Sequence, residues 1–145
     1  MGGPIRYKEI VFCGLGEPTL RLDVLLQVAR QLKQQGAKIR LNSDGLASLV
    51  HGRDVAPELA GLVDALSISM NAQNEAVYNR HCRPKKEYLG AYQAMLEFAG
   101  KANAFVPSVT LTAIDGLEGV DVEACGKIAS ELGVQFRGRE LDVVG

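Results

Sequence analysis

The chain has 145 residues, which is long enough for one domain with its own hydrophobic core. Sixteen lysines and arginines nearly balance seventeen aspartates and glutamates, and this net charge of −1 excludes a protein that attracts nucleic acid or anionic lipid through its overall charge. No apolar run reaches about eighteen residues, and no basic segment followed by an apolar one opens the sequence. We therefore predict a single cytoplasmic domain over residues 1–145 with no membrane partner.

Short runs rich in β-branched and aromatic residues alternate with segments of helical periodicity. The runs predict five strands, at residues 9–13, 38–42, 65–70, 105–113 and 134–137. We expect the first, a compact apolar run, to be buried on both faces of a parallel sheet. Because strands separated by helices form right-handed βαβ units, the predicted fold class is α/β with a largely parallel sheet. The pattern leaves open whether the sheet is doubly wound or part of a barrel.

The segments between the strands carry apolar residues at helical spacing, together with capping and stop signals. We predict five helices: one over residues 24–32 that ends before Gly36, one that begins near Asp54, one from Asn74 to Tyr78, one over residues 88–99 that Gly100 ends, and one that Asp121 caps and Gly133 ends.

Ligands of parallel α/β folds bind where the strands end and the helices begin. The segments in question are residues 14–19, 42–45, 69–74, 113–116 and 138–140. In the first of them, GLGEPT, two glycines allow a close approach of the backbone to a ligand, and the carboxylate of Glu17 suits an ammonium partner. The segment lacks the third glycine of a dinucleotide loop and the lysine of a P-loop, and a tight turn without a ligand explains its glycines equally well.

Cysteine spacing bears on metal chemistry. Cys13, Cys82 and Cys125 are separated by 69 and 43 residues, which matches neither a zinc-binding pair nor a cluster-binding run. An odd number of cysteines without a secretion signal indicates free thiols, and Cys125 on its predicted helix is typical of a small buried hydrophobic residue.

Two further groups of polar residues have a functional and a structural interpretation. A basic stretch could contact a phosphate, a carboxylate or RNA, but it has no interleaved aromatic residues, so a solvated loop is favoured; its members are Arg80, His81, Arg83, Lys85 and Lys86. A second group could bind a metal or act in acid–base chemistry, but it lacks a second histidine at ligand spacing, so a structural or surface role is favoured; its members are His51, Asp54 and Glu58.

Several motifs resemble one known family. The segment FCGLGEPT at residues 12–19 resembles the second-strand motif of radical S-adenosylmethionine (SAM) proteins, usually Gly-Gly-Glu-Pro. NSDG at residues 42–45 is similar to the polar turn after that family's third strand, and SISMN at residues 67–71 to its fourth-strand motif. HGRD at residues 51–54, APELAG at 56–61 and CRP at 82–84 resemble a branch associated with TatD-type nucleases. The similarity extends from about Tyr7 to Arg139.

The resemblance implies a fold and a cofactor site. The fold would be an incomplete parallel (β/α) barrel, TIM-barrel-like, made of strands two to six of the family's six-stranded partial barrel. The SAM-binding residues would be Gly14, Gly16, Glu17, Asn42, Ser43, Ser69 and Asn71. The two glycines and the glutamate would hold the amino group of SAM, and the other four residues would line the rest of the molecule.

The resemblance also implies a reaction. Family members cleave SAM reductively to a 5′-deoxyadenosyl radical, with a [4Fe–4S] cluster held by a CxxxCxxC segment, and this sequence contains no such spacing. We therefore expect a truncated radical SAM core that is inactive alone, has no cluster and binds SAM weakly or not at all. No catalytic or metal-ligating residue is assigned, and the substrate stays open. The alternatives are a cluster-free nucleotide-binding, SAM-binding or regulatory module, and an unrelated TIM-barrel-like hydrolase or phosphosugar enzyme.

Partners follow from the predicted sheet edge and from the resemblance. Without the family's first strand, residues 9–13 would form an apolar edge strand with unpaired N–H and C=O groups. We predict a homodimer through this edge, in preference to aggregation or to cover by residues 1–7. The family also implies a possible association with a TatD-type nuclease, and no nucleic-acid partner is expected.

Overall fold

The computed structural model describes residues 9–13, 16–84 and 88–140. Its five strands are β1 (Ile10–Phe12), β2 (Ile39–Ser43), β3 (Ala65–Ser69), β4 (Ser108–Asp115) and β5 (Gln135–Glu140). Its α-helices are α1 (Leu22–Gln34), α2 (Ala47–His51), α3 (Glu75–Cys82), α4 (Ala91–Ala102) and α5 (Val122–Leu132). Two short 3-10 helices cover Pro18–Arg21 and Ala56–Leu59.

The five strands form one parallel sheet whose spatial order equals their order in the sequence. This confirms the predicted α/β class with a parallel sheet. A doubly wound sheet reverses its strand order at a switch point, and no such reversal occurs among the described strands. β1 and β5 are the two edges, so the described strands form an open sheet and no closed barrel.

The hydrophobic core lies between one face of the sheet and the helices. Because side chains alternate along a strand, every second residue points to the helices. On the three central strands the buried apolar residues are Ile39, Leu41, Leu66, Ile68, Val109, Leu111 and Ala113. The helices cover them with their own apolar stripes, among them Leu25, Leu26, Met95, Phe98 and Cys125. Cys125 is completely buried, as the sequence predicted.

The other face of the sheet, here called the open face, is polar. Its residues on the central strands are half-buried or exposed: Arg40, Asn42, Ser67, Ser69, Thr110 and Thr112. On β1 the side chain of Val11 is 42% exposed and lies in register with Arg40. The prediction that the first strand is buried on both faces is therefore wrong, because the described helices pack against only one face.

Backbone conformation explains two shifted boundaries. The predicted helix from residue 88 begins instead at Ala91, because Gly90 has φ +76° and cannot join the helix, and the helix continues through Gly100 to Ala102. The predicted strand from residue 105 begins only after Pro107, because the Phe105 and Val106 N–H groups donate to the Ala102 carbonyl at the end of α4.

Three predicted helix signals have the expected effect. The Asn74 side chain accepts the Val77 N–H and caps α3, which extends four residues beyond the predicted end at Tyr78. Asp121 caps α5 in the same way, and Gly133 ends it with φ +78°.

None of the helices formed by the described residues combines the length and apolar character needed to cross a membrane.

Candidate functional site

The carboxylate of Glu17 is the centre of a hydrogen-bond network after β1. Glu17 caps the 3-10 helix that begins at Pro18, whose ring tolerates this first helical position. Its Oε2 accepts the Thr19 N–H at 3.3 Å and the Thr19 hydroxyl at 2.8 Å. Thr19 itself is buried, so this carboxylate fixes the start of the 3-10 helix.

The same carboxylate also binds the neighbouring strand. The buried Ser43 hydroxyl donates to Oε2 at 2.7 Å, and the Asp44 N–H donates to Oε1 at 2.7 Å. Four donors from two strand ends therefore share one carboxylate. Glu17 joins the carboxyl end of β1 to that of β2.

The turn after β2 places a second carboxyl group beside the first. Ser43 Oγ accepts the Gly45 N–H at 3.0 Å, and Asp44 Oδ1 accepts the Leu46 N–H at 2.9 Å. Burial, and after it the neighbouring Glu17 carboxylate, raise the pKa of Asp44 to about 6. The Asp44 carboxyl therefore titrates near neutral pH at the edge of this network.

A cleft of about 310 Å³ lies over these strand ends. Five of the seven residues predicted for the site line it: Gly16, Glu17, Asn42, Ser43 and Ser69. Cys13, Pro18 and Asp44 also line it and were not predicted. Asp44 could have been found from the sequence, since it stands inside the polar turn at residues 42–45 that was singled out as a whole.

The remaining two predicted residues are Gly14 and Asn71. Gly14 lies outside the described residues. Asn71 has φ +51°, an uncommon conformation that asparagine tolerates better than most residues. Its side-chain oxygen accepts the Ile114 N–H at 3.0 Å, and its own N–H donates to the Thr112 carbonyl at 3.2 Å. Asn71 thus links β3 to β4 and does not line the cleft.

The histidine–carboxylate group from the sequence does not come together as a site. His51 Nε2 lies 2.7 Å from the Thr19 carbonyl, while Asp54 accepts the Ala56 N–H at 3.2 Å. Glu58 pairs with Arg53 at 2.9 Å, and the hydrogen bond from Arg53 lowers the pKa of Glu58. Asp54 and Glu58 make local contacts, and His51 links α2 to the 3-10 helix at Pro18–Arg21, which supports the structural interpretation.

The basic stretch has a role that sequence reasoning missed. His81 Nε2 lies 2.6 Å from the Glu118 carbonyl, and the Arg80 guanidinium lies against Gly119. Nearby, the Gln73 amide donates to the Gly119 carbonyl at 2.9 Å. These contacts hold the loop after β4 against α3; Lys85 and Lys86 lie outside the described residues.

The described cysteines do not form a cluster site. Cys13 is exposed in the cleft, Cys82 is exposed at the end of α3, and Cys125 is buried on α5. Burial raises the pKa of the Cys82 thiol, and that of Cys125 to about 11. Cluster ligation needs several thiolates at one place, and no three metal-ligating side chains converge within residues 9–13, 16–84 and 88–140. A [4Fe–4S] cluster does not fit these residues.

Comparisons with known proteins add little to this geometry. No protein-family model and no curated protein matches the chain. Among solved structures, that of MT0777 is similar to the structure of this chain, with a TM-score of 0.37 and 14% sequence identity. The match covers 93% of this chain and 86% of the MT0777 chain. A likeness this weak carries no argument about fold or function.

Proposed function

We propose that the chain is the SAM-binding core of a radical SAM protein, with the cleft at the ends of β1, β2 and β3 as its cofactor site. One observation carries this proposal. Three motifs that lie far apart in the sequence, and that resemble successive motifs of this family, meet in one cleft through Glu17, Ser43 and Ser69. Because the carboxyl ends of adjacent parallel strands meet at one edge in any such sheet, the support lies in the order of the motifs: three successive motifs of one family stand at three successive strand ends.

The strand order supports the barrel-like part of the proposal. A sheet in which every strand lies beside its sequence neighbour, with helices on one face only, is what a sector of a (β/α) barrel presents. The open face would then be the inner face of that barrel. Its hydroxyl and amide groups are suited to a polar ligand.

Some cleft side chains already make internal hydrogen bonds, and others have polar groups available for a ligand. Glu17 Oε2 already accepts three hydrogen bonds and Oε1 accepts one. A carboxylate has about four acceptor sites, so Glu17 would attract an ammonium group mainly by its charge. The side chains of Asn42 and Ser69 have no hydrogen bond to the described part of the chain and would be free to bind ribose or carboxylate oxygens.

The chemistry of the family is proposed only for a protein that has the cluster. SAM supplies a 5′-deoxyadenosyl radical when it receives an electron, and the described cysteines provide no place for the electron donor. The alternative is that the chain acts as a cluster-free SAM-binding or regulatory module. A cytoplasmic location, the homodimer through β1 and the association with a TatD-type nuclease remain predictions.

Calorimetry with SAM tests the proposed site. Because the iron that chelates SAM in this family is not held by the described residues, we expect a dissociation constant of roughly 0.1 mM or weaker. Asn42→Ala and Ser69→Ala should each weaken binding about threefold to tenfold, the value of one lost hydrogen bond. Ser130→Ala, an exposed position on α5, is the matched control and should bind as the original chain does.

Two results would contradict the proposal. One is the absence of saturable heat at millimolar SAM while a phosphosugar raises the melting temperature, which would favour the barrel hydrolase or phosphosugar enzyme. The other is equal SAM affinity in Ser69→Ala and Ser130→Ala, which would move the ligand away from the cleft. Iron analysis after anaerobic reconstitution should give no stoichiometric cluster.

A further inference from the structure

The last strand directs two arginines onto the open face. Phe136 and Gly138 face α5: a Cβ on Gly126 would lie 3.4 Å from the Phe136 ring, and a Cβ on Gly138 would lie 3.1 Å from Val122. Because side chains alternate along a strand, Arg137 and Arg139 point the opposite way. Both side chains are exposed.

The sheet register connects these arginines to the cleft. Ser69 pairs with Thr112, and Thr112 pairs with Arg137, so the three residues form one row across β3, β4 and β5. Neighbouring strands lie about 4.8 Å apart, which places the backbones of Ser69 and Arg137 about 10 Å from each other. Ligands in the cleft and at the arginines would therefore be neighbours on one face.

The charges of the open face are separated. Glu17 and Asp44 lie at the β1–β2 side, hydroxyl groups occupy the middle, and the two arginines lie at the β5 side. Arg40 pairs with Glu9 at 3.4 Å. Arg137 and Arg139 form no ion pair with any residue that the structure describes, and Glu140 faces the α5 side of the strand. Within the described part of the chain, the two guanidinium groups therefore lack a counter-charge.

Residues two apart on a strand lie about 7 Å from each other, so the long side chains of Arg137 and Arg139 can both contact one anion. Planar guanidinium groups bind phosphate and carboxylate oxygens in pairs of parallel hydrogen bonds. We propose that Arg137 and Arg139 form an anion-binding subsite on the open face, which takes the phosphate or carboxylate group of the substrate beside the nucleoside cofactor. The substrate assignment rests on the proposed function, whereas the anion site itself depends only on the two arginines.

Nuclear magnetic resonance of the arginine Nε–Hε groups tests the subsite in the full chain. Inorganic phosphate at pH 7 should shift the Arg137 and Arg139 signals saturably at millimolar concentration, while the Arg30 signal, on the exposed surface of α1, moves little. A second titration uses acetate in place of phosphate. The anion that shifts the Arg137 and Arg139 signals more strongly identifies the group that the substrate presents. R137Q/R139Q should weaken phosphate binding at least about tenfold, and R30Q should leave it unchanged.

The outcomes separate this inference from the proposed function. Saturable phosphate binding without SAM binding would support the anion site and overturn the SAM core. SAM binding that survives in R137Q/R139Q, together with lost phosphate binding, supports both. Equal and linear shifts at every arginine would overturn the subsite and leave the arginines as charges that protect an edge strand. Because the original chain reports the shifts directly, a double variant that fails to fold leaves the test intact.

Discussion

Glu17 Oε2 lies 2.7 Å from the Ser43 hydroxyl and thereby joins the ends of two adjacent strands. Ser43 is buried, and its hydroxyl in turn accepts the Gly45 N–H. A carboxylate in the cleft is therefore first of all a structural group. Its removal would leave several polar groups of the strand ends without a partner.

We expect Glu17→Ala to lower the free energy of unfolding by about 2–4 kcal/mol, because the Ser43 hydroxyl and the Asp44 N–H lose a charged acceptor. Urea unfolding at neutral pH measures the change. Glu131→Ala, at an exposed position of α5, serves as the control and should cost less than about 0.5 kcal/mol. A Glu17 variant as stable as the control would contradict the structural role.

The raised pKa of Asp44 makes the free energy of unfolding depend on pH in one direction. Its pKa is about 6 in the folded chain, whereas an unperturbed aspartate has a pKa of 3.8. Between these two pH values the folded chain therefore keeps a proton that the unfolded chain has lost. The stability that this carboxyl contributes is present below about pH 4 and is lost as the pH rises through 6. Asp44→Asn keeps the oxygen that accepts the Leu46 N–H but cannot ionise.

The difference in unfolding free energy between Asp44→Asn and the original chain should therefore grow in favour of the variant from pH 4 to pH 7. Urea unfolding of both proteins across that range measures it, and contributions of titrating groups that do not contact Asp44 cancel in the difference. Parallel curves would show that the Asp44 carboxyl is not perturbed as described.

Gly45 and Gly52 form a matched pair for a packing test. Both have positive φ, +78° and +69°, but a Cβ on Gly45 would lie 2.9 Å from side-chain atoms of Ile68 and Met95, whereas one on Gly52 meets nothing within 4 Å. Gly52→Ala should cost about 1–2 kcal/mol from backbone strain alone. Gly45→Ala should cost about 1–3 kcal/mol more, because it also overpacks the core. Thermal and urea unfolding measure both, and equal losses would contradict the close approach.

The edge strand predicts self-association. β1 pairs only with β2 among the described strands, so light scattering at micromolar concentration should give a dimer or a larger species. Val11→Lys should shift the protein toward the monomer and change the unfolding free energy of the monomer by less than about 0.5 kcal/mol, since Val11 is 42% exposed. A stable monomer before the substitution would contradict the prediction.

Much of the fold could be predicted because its signals are local. Short runs rich in β-branched and aromatic residues marked the five strands. Asn74 and Asp121 marked helix starts through side-chain caps that need no tertiary context. The short α2 was missed, since its five residues carry too little periodicity, and so was the extension of β5 to Glu140, whose exposed polar residues do not resemble a strand.

The candidate site was harder to predict than the fold. Motif resemblance selected Glu17 and Ser69 but could not show that internal donors already surround the Glu17 carboxylate. It also could not separate Asn71, which links two strands, from residues that line the cleft. Such distinctions depend on where a side chain points, which strand register decides and sequence spacing does not.

The agreement between strand order in space and in sequence has a consequence for synthesis on the ribosome. Each new strand finds its partner in the strand made just before it, so no strand must wait for a distant segment to emerge. A nascent chain could therefore add one strand and one helix at a time, with the growing edge of the sheet as its template. At every stage that edge would be exposed, and β5 with its two arginines would be the last of the described strands to join it.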